Sequence, residues 1–286
     1  MKNLAFAKTD ISNLKLSKGH KKIAEYIAEN YDKAAFMTAS KLGEKVGVSE
    51  STVVRFASIL GFKGYPELQK ELQRMIKSKL TAVQRMEVSD SLVSDQNAVK
   101  KLMSADIELI RETLENVSQS DFNEAVSAIN NASRIYILGV RSSAALANFM
   151  YFYLNPVFEN VVLVDTTSVG EMFEQMFRIG KDDVCVALSF PRYSNQTINA
   201  LRFIGDRGSK IIAITDSSES PIAKLADILL VAKSSMVSVV DSLVAPLSLI
   251  NALVASVTFS RREEAYNNFN ELEHIWDEYQ VYDMQD

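Results

Sequence analysis

Cysteine is nearly missing from this chain. Cys185 stands alone, so no disulfide can close within one copy, and the composition fits a reducing compartment. Histidine is almost as scarce, with only His20 and His274 in 286 residues. No spacing of Cys, His, Asp or Glu resembles a metal-ligand set, so neither a metal nor an organic cofactor is expected. No stretch offers about 18 uncharged apolar residues, and the opening MKNLAFAKTDISNLKLSKGHKK holds no apolar core of signal-peptide length. A cytoplasmic location away from membranes is the expectation. Internal repeats and low-complexity tracts are absent too.

What is there is ordinary in bulk and uneven in detail. With 47% hydrophobic and 23% charged residues, the chain has the composition of a globular protein, and its length suggests two domains. Net charge is −5, but residues 1–80 hold 15 Lys and Arg against 8 Asp and Glu, leaving the remainder strongly acidic. A basic N-terminal quarter on an acidic body is the asymmetry expected when one domain meets a polyanion; a solvated lysine-rich helix surface is the alternative.

The periodicity changes along the chain. Residues 1–80 read as wholly helical: Ile23, Tyr26 and Ile27 recur at helical spacing, further helices start at Thr38 or Ser40 and at Ser49, and an amphipathic helix runs from Pro66 to about Val83, with Leu68, Leu72, Met75, Ile76 and Leu80 on one stripe. Residues 86–98 are polar, acidic and without period, as a linker would be. Helical spacing returns from Lys100 to Val117, and Ser120 or Asp121 is the expected cap of the next helix. From Ser133 onward, short apolar runs alternate with helical segments. The runs 134–139, 161–164, 184–188, 210–214 and 228–231 are the expected strands; segments near 171–179, 195–207 and 220–226 are the expected helices. Continuous apolar strands alternating with helices predict a parallel sheet buried on both faces. Residues 242–260 predict a helix buried in a core or an interface, followed by a polar helical tail studded with aromatics. The domains expected are therefore 1–80, a linker and connecting helix over 81–105, an α/β domain over 106–260, and a C-terminal helical tail over 261–286.

The stretch Thr38-Ala-Ser-Lys-Leu-Gly43-Glu-Lys-Val-Gly47-Val-Ser-Glu-Ser-Thr-Val53-Val-Arg-Phe56 fits a helix-turn-helix. Gly47 suits the left-handed turn residue and Gly43 the small position where the helices meet. Leu42, Val46, Val48, Val53 and Phe56 are the expected buried set. Ser49 caps the second helix, and Ser51, Thr52 and Arg55 then face outward on its first turns, where a recognition helix reaches base edges. Arg suits guanine, and hydroxyls are versatile partners. Lys41, Lys45 and Lys63, with the backbone amides of the helix start, could hold phosphates. A plain three-helix module that binds protein is the competing reading; motif and local charge together favour double-stranded DNA. The run from Val48 to Leu68, VSESTVVRFASILGFKGYPEL, resembles the N-terminal domain of the RpiR family of transcriptional regulators. That resemblance covers residues 1–80 and implies a helix-turn-helix dimer acting on operator DNA.

Two loops carry the second motif. Gly139-Val-Arg141-Ser142-Ser143 follows the first strand, and Ser189-Phe-Pro-Arg192-Tyr193-Ser194-Asn-Gln-Thr197 follows the third. A strand that ends in hydroxyls and opens a helix presents amides and a helix dipole to an anion, and ligands on open parallel sheets bind at the carboxyl ends of strands. Any single serine here could simply cap a helix; two such loops on one sheet point to a phosphate cradle, with Arg141 or Arg192 as a charge partner or a surface residue. Residues 110–260 resemble the SIS (sugar isomerase) domain through YILGVRSS, VCVALSF with Ser194-Asn-Gln-Thr197, and GSKIIAITDSSESPIAKLADILL. The resemblance implies a flavodoxin-like, five-stranded α/β/α sandwich binding phosphorylated sugars, with Ser142 or Ser143, Ser189, Ser194 and Thr197 at the phosphate-contacting positions. The chain departs from the family's Ser-x-Ser-Gly-x-Thr loop by the additional Pro191-Arg192-Tyr193 and by Asn195 in place of glycine.

Catalytic candidates are thin. Isomerisation of a sugar phosphate needs a base and usually a ring-opening acid; Glu171 and Glu174, at i and i+3, could form such a pair or merely a solvated helix face. Cys185 lies among valines and reads as core. The leading expectation is a dimeric or tetrameric DNA-binding regulator whose α/β domain senses a phosphorylated sugar or related anion without turning it over. A sugar-phosphate isomerase with an appended basic domain is the rival, and a ligand-free dimerisation scaffold is a third reading.

Overall fold

Hydroxyl side chains start the first helices of the computed structural model, which describes residues 16–76, 81, 83, 85, 86, 97–166, 168–236 and 240–282. Ser17 accepts from the His20 amide and opens α1 (Lys18–Glu29). After a single turn, α2 (Tyr31–Ala34), Thr38 accepts from the Lys41 amide and opens α3 (Ala39–Val46). Ser49 does the same for α4 (Glu50–Ile59) through the Thr52 amide. Each bond satisfies a helix-terminal donor that would otherwise face water alone. The unit closes with α5 (Tyr65–Ile76), whose Tyr65 hydroxyl donates to the Met37 carbonyl at 2.8 Å, while Gln69 and Gln73 donate to the carbonyls of Met37 and Ala35. Burial pushes the Tyr65 phenol up to about 12. Ile23, Ile27, Leu42, Val53, Phe56, Leu60 and Leu68 form the buried centre of these helices. Val46 and Val48, expected there too, are only half-buried. The expected continuation of α5 beyond Ile76 and most of the linker at 86–98 lie outside the described residues.

Contacts divide the chain between Ala98 and Val99. The second unit begins with α6 (Ala98–Asn116) and α7 (Gln119–Asn131). It continues through β1 (Ile135–Gly139), α8 (Ala144–Leu154), β2 (Val161–Val164), α9 (Val169–Met176), β3 (Val184–Leu188), α10 (Asn195–Asp206), β4 (Lys210–Thr215) and β5 (Ile228–Val231), and ends in α11 (Val244–Ser260) and α12 (Arg262–Glu278). All strand pairs are parallel, in the order β2-β1-β3-β4-β5. Every residue of β1 and β3 is buried, as a sheet covered on both faces requires.

Alternation divides the core into two layers. Ile135, Ile137, Val184, Val186 and Ile212 pack against α7, α8 and α11. Tyr136, Leu138, Cys185, Ala187 and Ala213 pack against α9 and α10. α11 is buried through Leu249, Ile250, Leu253 and Val257, whereas α12 is mostly exposed. Two expectations are corrected. The cap of α7 is Ser118, whose side chain accepts from the Asp121 amide, not Ser120 or Asp121; Ser120 instead shares a hydroxyl hydrogen bond with Ser118. The segment 220–226 forms no α-helix but one 3-10 turn, Ala223–Leu225, within the short crossover between β4 and β5. Among the described residues no single helix is long and apolar enough to cross a membrane.

Candidate functional site

The first candidate lies on α3, α4 and the turn between them. Gly47 ends α3 with φ +69 and ψ 44, the left-handed conformation that glycine adopts without steric cost. The turn then delivers Ser49 to its capping position. The hydroxyls of Ser51 and Thr52 lie 2.9 and 2.8 Å from that of Ser49, so three hydroxyls gather at the start of α4. Ser49 is partly committed to holding the Thr52 amide, which leaves Ser51 and Thr52 as the freer groups. Arg55 is exposed one turn on, its Nε donating to the Ser51 carbonyl at 3.2 Å. Lys41 and Lys45 project from successive turns of α3, and Lys63 lies in the turn before α5; all three are exposed.

Beneath this surface His20 of α1 faces Phe56, ring centres 6.0 Å apart. Burial and then the nearby Arg55 charge lower the His20 pKa below the ordinary 6.5. Both effects disfavour a second positive charge at this place.

The second candidate lies at the carboxyl edge of the sheet in the other unit. Gly139 pairs with Leu188, so the loops that follow β1 and β3 leave the sheet side by side. After β1 the chain does not enter α8 directly: a 3-10 turn, Arg141–Ser143, intervenes, with Arg141 at φ 58. A Cβ on Gly139 would stand 2.6 Å from the Ser143 carbonyl oxygen, so only glycine lets the turn fold back over the strand end. Ser142 is exposed and Ser143 buried, and Ser143 makes no capping bond to α8.

After β3, Ser189 is buried at the strand end. Arg192 is exposed with φ 66. Ser194 caps α10 by accepting from the Gln196 amide at 3.2 Å. Thr197, one turn into α10, is fully buried and its hydroxyl has no hydrogen-bond partner. Leaving such a group unsatisfied costs roughly 1–3 kcal/mol. The additional Pro191-Arg192-Tyr193 is built into the fold: the Tyr193 hydroxyl donates to Asp216 Oδ1 at 2.7 Å, tying this loop to the end of β4. Reasoning from sequence missed Asp216. Its only signal was a polar Thr-Asp pair closing an apolar strand.

Glu171 and Glu174 do not form a buried pair. Both are exposed on α9, and Glu171 accepts from the Thr166 hydroxyl at 2.5 Å. Cys185 is fully buried in β3, where burial pushes its thiol up to about 12. His274 is exposed on α12.

Known proteins resemble both units. Residues 7–79 match the helix-turn-helix domain of the rpiR family, and residues 128–256 match the SIS domain. An uncharacterized HTH-type transcriptional regulator of Haemophilus influenzae is 28% identical over 76% of this chain and 75% of its own. Among solved structures, the sugar isomerase domain of an RpiR transcription factor from Sphaerobacter thermophilus superposes with a TM-score of 0.60 at 28% identity, covering 63% of this chain and 99% of that one. The Vibrio vulnificus NanR protein complexed with ManNAc-6P superposes with a TM-score of 0.55 at 20% identity, over 92% of this chain and 94% of that one.

Proposed function

Because the chain belongs to the rpiR family of helix-turn-helix transcriptional regulators and carries a SIS domain behind that motif, we propose that it reads operator DNA with α4 and senses a phosphorylated sugar or related anion at the carboxyl edge of its sheet. Ser51, Thr52 and Arg55 are the base-reading groups. Ser49, Lys41, Lys45 and Lys63 hold the phosphate backbone, Ser49 through the capped helix start. In the sensor, Ser142, Ser143, Ser189, Ser194 and Thr197 cradle the phosphate, and Arg192 swings over it as a charge partner.

The observation that carries the ligand reading is Thr197. A fully buried hydroxyl without a partner, one turn into a helix that starts beside the neighbouring hydroxyl loop, is a donor waiting for an acceptor from outside the chain. The NanR complex with ManNAc-6P makes phosphorylated amino sugars and simple sugar phosphates the first class to try. Turnover is not part of the reading. Glu171 is engaged by Thr166 and solvent-exposed, and among the described residues the one histidine of this unit, His274, is exposed on α12, which favours sensing over proton transfer. A reducing cytoplasm and paired copies on paired half-sites follow from the same reading.

Two variants of the full chain separate its halves. Arg55→Ala should weaken operator binding by about 1–3 kcal/mol in fluorescence anisotropy while leaving ligand binding intact. Thr197→Val removes only the orphan hydroxyl. It should leave the apo melting point level or higher, yet abolish the stabilisation of about 2.7 kcal/mol that a sugar phosphate at a hundred times its dissociation constant confers on the parent. A parent that no phosphate stabilises defeats the sensor reading; isomerisation of a sugar phosphate, lost in Glu171→Gln, would replace it with the enzyme.

A further inference from the structure

Among the described residues, left-handed backbone falls on Gly47, Gly61 and Gly208 and on three residues that carry side chains. Gln280 is one, in the C-terminal tail. The others are Arg141 and Arg192, at φ 58 and 66, where glycine would sit without cost and a Cβ is strained. The two arginines stand one in each hydroxyl loop, two residues beyond Gly139 and four beyond Leu188. Gly139 and Leu188 are paired on adjacent strands, so both strained positions belong to one edge of the sheet. Strain of this kind persists where the surroundings enforce it, and it gathers at binding sites.

Both arginines are fixed at the backbone and free at the tip. The Ser143 amide donates to the Val140 carbonyl at 3.2 Å and closes the turn around Arg141. On the other loop Phe190 and Pro191 are buried and Tyr193 is tied to Asp216, so Arg192 sits between two anchors. Both side chains are exposed, and among the described residues neither guanidinium has a hydrogen bond or an ion pair. The carboxylates of this edge do not fill the gap: Asp216 is held by Tyr193, and Asp165, which follows β2, pairs with neither arginine.

Each loop is half of an anion site. After β3 come Arg192, Ser194 and the start of α10, with the buried, unpartnered Thr197 one turn further on. A helix start contributes roughly half a positive charge. With Arg192 that makes about 1.5, close to the roughly 1.5 to 2 negative charges of a phosphate monoester near neutral pH. After β1 the arrangement repeats with Arg141, Ser142, Ser143 and the start of α8. One phosphate therefore satisfies one loop and leaves the second guanidinium without a counter-charge. A neutral sugar behind that phosphate offers it only hydroxyls, whereas a carboxylate accepts two of its N–H groups in the bidentate geometry that arginine favours.

We propose that the sensed molecule is a phosphorylated sugar acid, its phosphate at Arg192 and the start of α10 and its carboxylate at Arg141. Arg141 is then the residue that selects acid over neutral sugar. The inference rests on the proposed sensor site and adds to it the second charge of the ligand.

The test is isothermal titration calorimetry of the full chain with matched pairs: glucose 6-phosphate against gluconate 6-phosphate, and erythrose 4-phosphate against erythronate 4-phosphate. In at least one pair the acid should bind about tenfold tighter or more. Arg141→Gln should erase that preference and leave the affinity for the neutral sugar phosphate as it was, while Arg141→Lys, which keeps the charge, retains part of it. Arg141→Gly fits φ 58 without strain, so it should lose the preference with no fall in melting temperature. Arg192→Gln should weaken both members of a pair alike. Equal binding within both pairs, or a preference that survives Arg141→Gln and Arg141→Gly, overturns the sugar-acid assignment and leaves the phosphate sensor standing. A parent that binds no member of either pair overturns both.

Discussion

Cys185 and Thr197 are both fully buried polar-capable side chains, and their environments give them opposite meanings. The Cys185 thiol sits in the middle of β3 among apolar neighbours of α9 and α10, where a thiolate has no stabilising charge, so its pKa rises to about 12. It should therefore resist alkylation in the native protein: at mildly alkaline pH, iodoacetamide labelling followed by mass spectrometry should proceed only at the rate of global opening, and rapid labelling would contradict the burial. Thr197 is buried at the edge instead, where the sheet meets its loops, and burial there leaves a donor uncompensated. Both residues were visible in the sequence, Cys185 as core and Thr197 as a motif position. Only the packing distinguished a satisfied interior from an unsatisfied one.

At the scale of elements, two contacts between helices and their surroundings have measurable consequences. α1 and α4 meet at His20 and Phe56 with Arg55 nearby. The His20 pKa is lowered in the folded unit, so below the ordinary 6.5 the unfolded chain binds a proton that the folded chain does not. Stability from this source is fully present above 6.5 and is lost as pH falls through that value towards the lowered one. The thermal midpoint of the helical unit should thus drop as pH falls below 6.5, and His20→Gln should flatten that drop. A slope unchanged in the variant would assign it to other groups.

In the second unit, α6 holds the segment after β5 through Thr113 and Asp106. Thr113→Val keeps the shape but removes the acceptor of the Lys233 amide, and should cost about 1 kcal/mol in urea unfolding. The helices and strands themselves were largely legible: Thr38, Ser49, Gly47 and the five apolar runs marked their own boundaries. The cap at Ser118 and the 3-10 turn at Ala223–Leu225 were not, because neighbouring serines offer equivalent caps and a seven-residue segment is too short to show a helical period.

For the whole molecule, charge is the property that both units share and divide. The basic excess of residues 1–80 on a chain of net charge −5 should make DNA binding steeply salt-dependent while ligand binding to the other unit responds little. If Lys41, Lys45 and Lys63 of two copies each neutralise one phosphate, the slope of log K against log salt is about −5. Replacing Lys45 with Ala should reduce the slope by about 2 for a dimer and weaken all sequences alike. An unchanged slope would remove Lys45 from the phosphate contacts.

The sequence alone determined the two kinds of architecture, the parallel sheet and the position of each hydroxyl loop, because capping, alternation and glycine turns act over a few residues and leave their marks in short windows. The tertiary structure decided what those windows face. Tyr193 meets Asp216 across 23 positions, the Lys233 amide meets Thr113 across 120, and the loops after β1 and β3 become neighbours only through the pairing of Gly139 with Leu188. It also decided that one apolar face of α6 is covered and the other is not. Periodicity reports that a residue is apolar and on which side of a helix it lies; whether anything lies against that side depends on how distant segments pack, and no local pattern carries that information.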